Sequence, residues 1–156
     1  MAELDREQIL RDNRRICIQM EQWANASLAH RGLTATQAQI LMFILSRSGQ
    51  GTSLTAIHRE FGGSMAALSS MVKRLKEKGY VRVEQCAGDD RRKLLFATEK
   101  AKEVEEFLCH TTRQIRQRLY SCFSQEELST LDRLQKNDAQ QPVPTDSTTI
   151  RRYQNL

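Results

Sequence analysis

Residues 62–98 read GGSMAALSSMVKRLKEKGYVRVEQCAGDDRRKLLFAT, and this stretch decides the fold. Leu68, Val72 and Leu75 recur with the 3.6-residue period of a helix, so they predict an apolar stripe that packs on a core. Ala66 falls on the opposite side, where a small side chain lets another molecule approach closely. The stretch therefore begins with a helix that has one buried face and one open face.

The two ends of this helix carry recognisable signals. Ser64 is placed as its N-cap, so the first turn would present free backbone N–H groups and the positive end of the helix dipole, where phosphate can bind. Gly79 occupies the usual position just after a helix end. Residues 80–86 then alternate apolar and polar side chains, and residues 94–98 supply a second apolar run. These features predict a two-stranded hairpin with a charged tip at residues 87–92.

Positive charge is concentrated in the same region. Between residues 64 and 93, eight Lys or Arg side chains stand against four Asp or Glu, a net charge of +4 in a chain whose formal net charge is +5. An open helix face beside an Arg-bearing hairpin predicts a two-part contact with DNA, with the helix in a major groove and the hairpin in the adjoining minor groove or along phosphates. We interpret Arg91 as the minor-groove side chain, with Asp89 holding either the hairpin or the Arg91 side chain in place.

The rest of the N-terminal half completes a helix-turn-helix. A helix is expected from about residue 4 to 29, and the Thr34-to-Gln37 spacing is that of a capping box for a second helix. A short third helix, capped by Thr52 or Ser53, is followed by a turn and by the helix that begins after Ser64. In such an arrangement the second helix of the pair enters the groove and the first contacts the DNA backbone.

The predicted DNA contacts therefore come from the start of the third helix, the open face of the fourth, and the hairpin. They are Thr52, Ser53, Ser64, Ala66, Ala67, Ser69, Ser70, Lys73, Arg74, Asp89, Arg91, Arg92 and Lys93. Arg74 could equally brace the hairpin by hydrogen bonds. Because alanines occupy the helix start, we expect DNA shape and phosphate contacts to contribute more affinity than hydrogen bonds to bases.

Two further helices follow the hairpin, at about residues 99–122 and 124–138. Together with the helix at 4–29, each carries an apolar stripe that one small domain does not cover. Pairing with a second copy would cover all three, which predicts an isologous homodimer. Residues 139–156 are polar and without periodicity, so we expect a flexible tail.

Length and composition narrow the class of protein. The 156 residues, 28% charged and 39% hydrophobic, predict one mainly helical domain, which we place at residues 1–138. With the helices and the hairpin identified above, the predicted fold is mainly α (α+β), a winged helix-turn-helix at about 33–100 with flanking dimerisation helices. We expect a cytoplasmic protein, since no signal peptide or membrane span is evident. The four cysteines have no metal-ligand spacing, and no catalytic motif is evident. We therefore predict no metal, no cofactor and no enzymatic activity.

Four motifs carry a resemblance to a known family. They are Leu33-Thr34-x-x-Gln37, Val72-Lys73-Arg74-Leu75 leading into Glu77-Lys78-Gly79-Tyr80-Val81, the Asp89-Asp90-Arg91-Arg92 segment, and Ala97-Thr98-Glu99-Lys100. In this combination the chain resembles the MarR family of bacterial winged-helix transcription regulators, over roughly residues 33–101. The resemblance implies that the long helices dimerise. It also implies repression at a pseudo-palindromic operator, and release by a small, often aromatic or phenolic effector bound between the dimerisation helices and the wing domain.

Two alternatives remain open. Some members of that family sense organic peroxides through a cysteine of the first helix, and Cys17 lies in that helix, so the chain could be a thiol-based redox sensor of the same fold. Alternatively, it could be a helical interaction module that does not bind DNA and uses its basic hairpin on an acidic protein. Replacing Cys17 with Ser tests the redox alternative. The dependence of binding on salt tests the interaction module, because phosphate contacts weaken steeply with salt.

Overall fold

The computed structural model describes residues 5–141, apart from the side chain of Asp90. It contains six helices, a short 3-10 turn and one antiparallel hairpin. Their bounds are α1 Arg6–Leu28, the 3-10 turn Ala29–Arg31, α2 Ala35–Leu45, α3 Leu54–Phe61, α4 Met65–Glu77, β1 Val81–Cys86, β2 Asp89–Ala97, α5 Glu99–Tyr120 and α6 Gln125–Ala139. The predicted tail at 139–156 lies outside the described residues beyond position 141.

The chain divides into two compact units, one ending at Arg116 and the other beginning at Gln117, so the division falls within α5. The first unit holds the hydrophobic core, in which α2 lies centrally. Ile40, Leu41 and Ile44 of α2 are fully buried, as is Leu75 of α4. The second unit holds the end of α5 and all of α6, and α6 has no buried residue.

Helix ends follow the capping chemistry expected from the sequence. Ser64 has an extended backbone, and its hydroxyl accepts a hydrogen bond from the backbone N–H of Ala67 at 3.1 Å. Both capping boxes form, one opening α2 at Thr34 and the other opening α6 at Ser124. Gly79 takes a φ of 80°, which a residue with a side chain rarely adopts. The predicted starts of α2, α4 and α6 are thus confirmed.

The hairpin is longer than predicted. Its turn comprises only residues 87 and 88, and β2 begins at Asp89 instead of Leu94. The pairing is regular from Val81 opposite Ala97 to Gln85 opposite Lys93, after which Cys86 is paired with Asp89. Residues 90–92 are therefore bulged out of the ladder, and the prediction of an open loop at 87–92 was wrong in this respect. The charged run concealed a strand because Asp and, to a lesser degree, Lys are depleted in strands.

The long helices expose much of their apolar surface. In α1 only Ala24 and Leu28, near its C-terminal end, are buried, whereas Ile9 and Leu10 are 44% and 71% exposed. α5 buries Val104 and Leu108 in the core. Among residues 5–141, no helix has the length and apolar character that crossing a bilayer requires.

Candidate nucleic-acid interface

The fourth helix has a buried face and an open one, as its period predicted. Leu68, Val72 and Leu75 lie in the core. The other side is exposed along its whole length, including Ser70 and Lys73. Lys73 makes an exposed ion pair with Glu77 at 3.9 Å, a contact that contributes little to stability and is easily exchanged for another anion. The open face of α4 therefore combines small side chains with an available cation.

The connection before α4 consists of two glycines and the capping serine. Gly62 and Gly63 have φ values of 70° and 80°, and a Cβ added to either would meet no atom within 4 Å. His58 of α3 reaches across this connection, with its Nε2 lying 3.0 Å from the carbonyl oxygen of Gly63. Since a carbonyl only accepts, Nε2 is the donor. This contact ties the start of α4 to the helix before it.

The opposite end of α4 is held by contacts with distant parts of the unit. The ammonium of Lys78 donates to the carbonyl of Gly32, and it lies 3.3 Å from Oε1 of Gln37. Lys100 of α5 donates to the Lys78 carbonyl at 2.6 Å. The hydroxyl of Tyr80 lies 3.4 Å from the carbonyl of Arg31. These contacts fasten the C-terminal end of α4 to residues 31 and 32, to α2 and to α5, and they join residues too far apart in sequence for spacing to predict.

The hairpin presents its cations at the outer end. Arg91, Arg92 and Lys93 are all exposed, and none forms an ion pair with a side chain that the structure describes. The carboxylate of Asp89 accepts a hydrogen bond from the backbone N–H of Arg91 at 3.0 Å. Of the two roles expected for Asp89, this geometry corresponds to shaping the hairpin backbone. The neighbouring cations are consequently displayed in a defined bulge.

The root of the hairpin is packed against the residues that precede α3. Thr52 pairs with Leu95 through two backbone hydrogen bonds of 3.0 and 2.7 Å. A Cβ added to Gly51 would lie only 2.6 Å from the ring of Phe96, and the guanidinium of Arg82 covers that ring at 4.6 Å. These contacts join the hairpin to the helix-turn-helix, so the two parts of the interface have a set spacing.

This packing changes the expectation for Thr52. The residue is only 4% exposed, because it is paired with β2, so it does not lie on the open surface. Its Oγ1 has no hydrogen-bond partner among the described residues. Ser53, and not Thr52, caps α3; it is half-buried and accepts from the N–H of Ala56 at 3.1 Å. We leave Thr52 out of the interface.

The other predicted contacts lie on the surface. The exposed ones are Ser64, Ala66, Ala67, Ser69, Ser70, Lys73, Arg74, Asp89, Arg91, Arg92 and Lys93. For the Arg74 side chain, no hydrogen bond or ion pair occurs within the described residues, so bracing of the hairpin by Arg74 is not observed there. Sequence reasoning missed Met65, the first residue of α4, which is 43% exposed.

Among the surface cavities that described residues of the first unit line, two concern the predicted effector and redox sites. One of about 240 Å³ lies between α1, α2 and Ile115, and Cys17 and Gln39 are among its lining residues. The other, about 460 Å³, is lined by Arg31 and by α5 residues that include Phe107. The Arg31 guanidinium lies 5.1 Å from the centre of the Phe107 ring. All four cysteines are free, and Cys17 is exposed.

The described helix-turn-helix and hairpin coincide with the match to a family model. The model of the MarR family matches residues 31–92, which run from the end of the 3-10 turn into the cationic bulge. Over residues 31–92 the chain is similar to the MarR family. The predicted family resemblance is thus confirmed, and the family's regulators are not enzymes, in agreement with that prediction. A comparison with curated protein sequences found no match.

Solved structures of MarR-type proteins share the fold over most of the chain. The S. aureus MepR–DNA complex matches with a TM-score of 0.78 at 20% identity, covering 88% of this chain and 98% of that one. The transcriptional regulator SlyA matches at 0.75 and 24%, covering 83% and 92%. A cysteine-to-serine mutant of E. coli MarR, complexed with operator DNA, matches at 0.73 and 22%, covering 87% and 98%. The predicted mainly α, winged-helix fold class is confirmed.

Proposed function

We propose that this chain is a DNA-binding transcription regulator of the MarR type, which represses by occupying a pseudo-palindromic operator as a homodimer. The observation that carries the proposal is the joint exposure of the α4 face and of the cations Arg91, Arg92 and Lys93, at the end of a hairpin whose root is packed on the helix-turn-helix. Cations without a described ion-pair partner are ready to neutralise phosphates. A set distance between helix and hairpin suits adjacent grooves of one duplex.

The related structures support this reading. MepR and the MarR mutant were both solved with DNA bound, and each shares the fold of this chain. The α4 helix, its N-terminal cap and the hairpin are therefore parts of a fold that other proteins place on DNA. In this chain the small residues of α4 would let the helix backbone enter a major groove closely.

Exposed apolar residues of α1 support dimerisation. Ile9, Leu10, Ile16 and Ile18 are between 42% and 71% exposed in the single chain. When a second copy covers such side chains, the free energy gained is roughly 25 cal/mol for each Å² of apolar surface removed from water. An isologous dimer would also place two α4 helices in successive turns of a palindromic site.

The cavities support control by a small effector. The cavity of about 240 Å³ is bounded by α1 and α2, and its lining combines apolar groups with the polar side chains of Glu21, Thr36 and Gln39. A small aromatic or phenolic molecule fits such a lining. Binding there would couple to DNA affinity by altering the spacing of the two α4 helices, a coupling of about 1–3 kcal/mol.

Redox sensing through Cys17 is the second candidate. Its exposure and its place in the wall of the smaller cavity give a peroxide access to the thiol. A reactive thiolate is normally stabilised by nearby cations. The one charged residue among those lining the cavity is the acid Glu21, which favours the effector reading over the redox one. Peroxide release of DNA that persists in Cys17→Ser would exclude this thiol as the sensor.

The proposed function is tested by measuring DNA affinity as a function of salt. A binding sequence is first selected from random duplexes, and the dissociation constant is then measured at several salt concentrations for the wild type and for Arg91→Ala. We expect log K to fall linearly with log salt. If each Arg91 of a dimer contacts one phosphate, the substitution reduces the slope by about 1.8, since each contact contributes about 0.9.

Arg133→Ala provides the matched control, because Arg133 is an exposed arginine of α6 and is not among the predicted DNA contacts. It removes the same charge and leaves the slope unchanged if binding is local to the hairpin. An equal loss for both variants would mean that only overall charge matters. No salt-sensitive binding by the wild type would favour the reading as an interaction module.

A further inference from the structure

The first turn of α4 is apolar and exposed. Met65 opens the helix with 43% of its surface exposed, and Ala66 and Ala67 beside it are also exposed. Met71, one and a half turns later, packs against the core and is only half-buried. A methionine is ordinarily used to fill apolar space. Met65 is therefore a large apolar side chain placed where the chain itself does not cover it.

The side chains of Ser64 and His58, which flank the start of this turn, are engaged within the chain. The Ser64 hydroxyl accepts from the N–H of Ala67 at 3.1 Å. The His58 ring is directed to the carbonyl of Gly63 at 3.0 Å. Around Gly62 and Gly63 the space is open, since a Cβ at either position would meet nothing within 4 Å. A groove can therefore approach the turn, and the side chains exposed there are one methionine and two alanines.

We infer that Met65, flanked by Ala66 and Ala67, reads thymine in the major groove by apolar contact with its C5-methyl group. This inference rests on the proposed function, because a helix-turn-helix directs the N-terminal residues of its second helix to base edges. The thymine methyl is the one apolar group among the base edges of the major groove. The first turn of α4 offers apolar partners and no charged side chain, so it matches that group better than any donor or acceptor.

Uracil provides the test, since it pairs as thymine does and lacks only the methyl group. In the selected duplex, each thymine of a half-site is replaced by uracil in turn, symmetrically in both half-sites. Dissociation constants are measured for the wild type, Met65→Ala and Met65→Leu. Losing contact with one methyl group is worth about a fourfold change for each half-site, so we expect about a 15-fold loss for the symmetric duplex.

The pattern across the three proteins decides the outcome. At one position we expect the uracil effect to fall below twofold in Met65→Ala and to persist in Met65→Leu, which keeps an apolar side chain of similar size. Thermal unfolding of the variants should match the wild type, because Met65 is exposed.

Equal uracil effects in the wild type and in Met65→Ala at every position would overturn the inference and leave DNA binding standing. Selected half-sites that contain no thymine would also overturn the inference. Absence of salt-sensitive binding by the wild type would instead overturn the proposed function, and the inference with it.

Discussion

The winged helix-turn-helix at about residues 33–100 and the last helix, α6, bury their apolar residues to very different extents. In the former, Ile40, Ile57 and Leu75 are fully buried. In α6 no residue is buried, and Leu134 is 49% exposed. Both segments show the same helical spacing of apolar residues in the sequence. The period of a helix thus tells which face is apolar, whereas only the fold tells whether that face is already covered.

The largest effect expected from this comparison is on the free energy of unfolding. Leu75→Ala removes a fully buried side chain, so we expect a loss of about 2–5 kcal/mol at any protein concentration. Leu134→Ala removes a half-exposed one. If α6 is covered by a second copy, its cost falls on association and depends on protein concentration. Urea unfolding at two protein concentrations, with sedimentation analysis, measures both.

The contrast between the two segments would be contradicted if Leu134→Ala lowered the free energy of unfolding as much as Leu75→Ala, independently of protein concentration. In that case the α6 stripe would be part of a core within a single chain. A matched surface control is Gln135→Ala, which lies next to Leu134 and is exposed. We expect it to change stability by no more than about 0.5 kcal/mol.

A second contrast lies within the hairpin, between its packed root and its open tip. Gly51 combines a φ of 71° with a hypothetical Cβ 2.6 Å from the Phe96 ring, whereas Gly49 in the same loop has open space around it. We expect Gly51→Ala to lower the free energy of unfolding by about 1–3 kcal/mol and Gly49→Ala to change it by less than about 0.5 kcal/mol. Thermal unfolding of the two variants measures this.

Gly51→Ala should also weaken DNA binding, since the root sets the position of Arg91 relative to α4. In the double variant Gly51→Ala with Phe96→Leu, the new methyl group has more room. The double variant should regain the stability that was lost to crowding against the ring, but the strain of the positive φ at residue 51 should remain. Equal stability of the two alanine variants would show that the Phe96 ring moves aside freely and that the root is loose.

The parts of this fold that the sequence predicted are those decided by local chemistry. Ser64, Gly79 and the Thr34-to-Gln37 box act through neighbours within a few residues, so their roles could be read directly from spacing. The open and buried faces of α4 follow from the helical period in the same way.

The missed parts depend on residues that are distant in sequence. Thr52 was assigned to the surface, but its pairing with Leu95 buries it, and a polar residue after a glycine loop gives no local sign of that. The contact of Lys78 with Gly32 likewise spans 46 residues. Met65 was overlooked because apolar residues are normally assigned to cores, and its exposure is known only once the packing of α4 is seen.

The smallest expected effect compares the two capping boxes. In α2, the Thr34 hydroxyl accepts from the N–H of Gln37 at 3.2 Å, and Gln37 is only 3% exposed. In α6, the Ser124 hydroxyl accepts from the N–H of Glu127 at the same distance, but both residues are exposed. Replacing either hydroxyl residue by alanine leaves an N–H without its partner. The loss of stability is smaller where water can reach that N–H and accept its hydrogen bond.

We therefore expect Thr34→Ala to cost about 1–2 kcal/mol of unfolding free energy, and Ser124→Ala about 0.5–1 kcal/mol. Hydrogen exchange should distinguish them further. Ser124→Ala should speed exchange only in the first turn of α6, because that helix has no buried residue to transmit the loss. Thr34→Ala should speed exchange throughout α2, since α2 is the centre of the core. Equal costs with equally local exchange would mean that burial around Gln37 does not strengthen its cap.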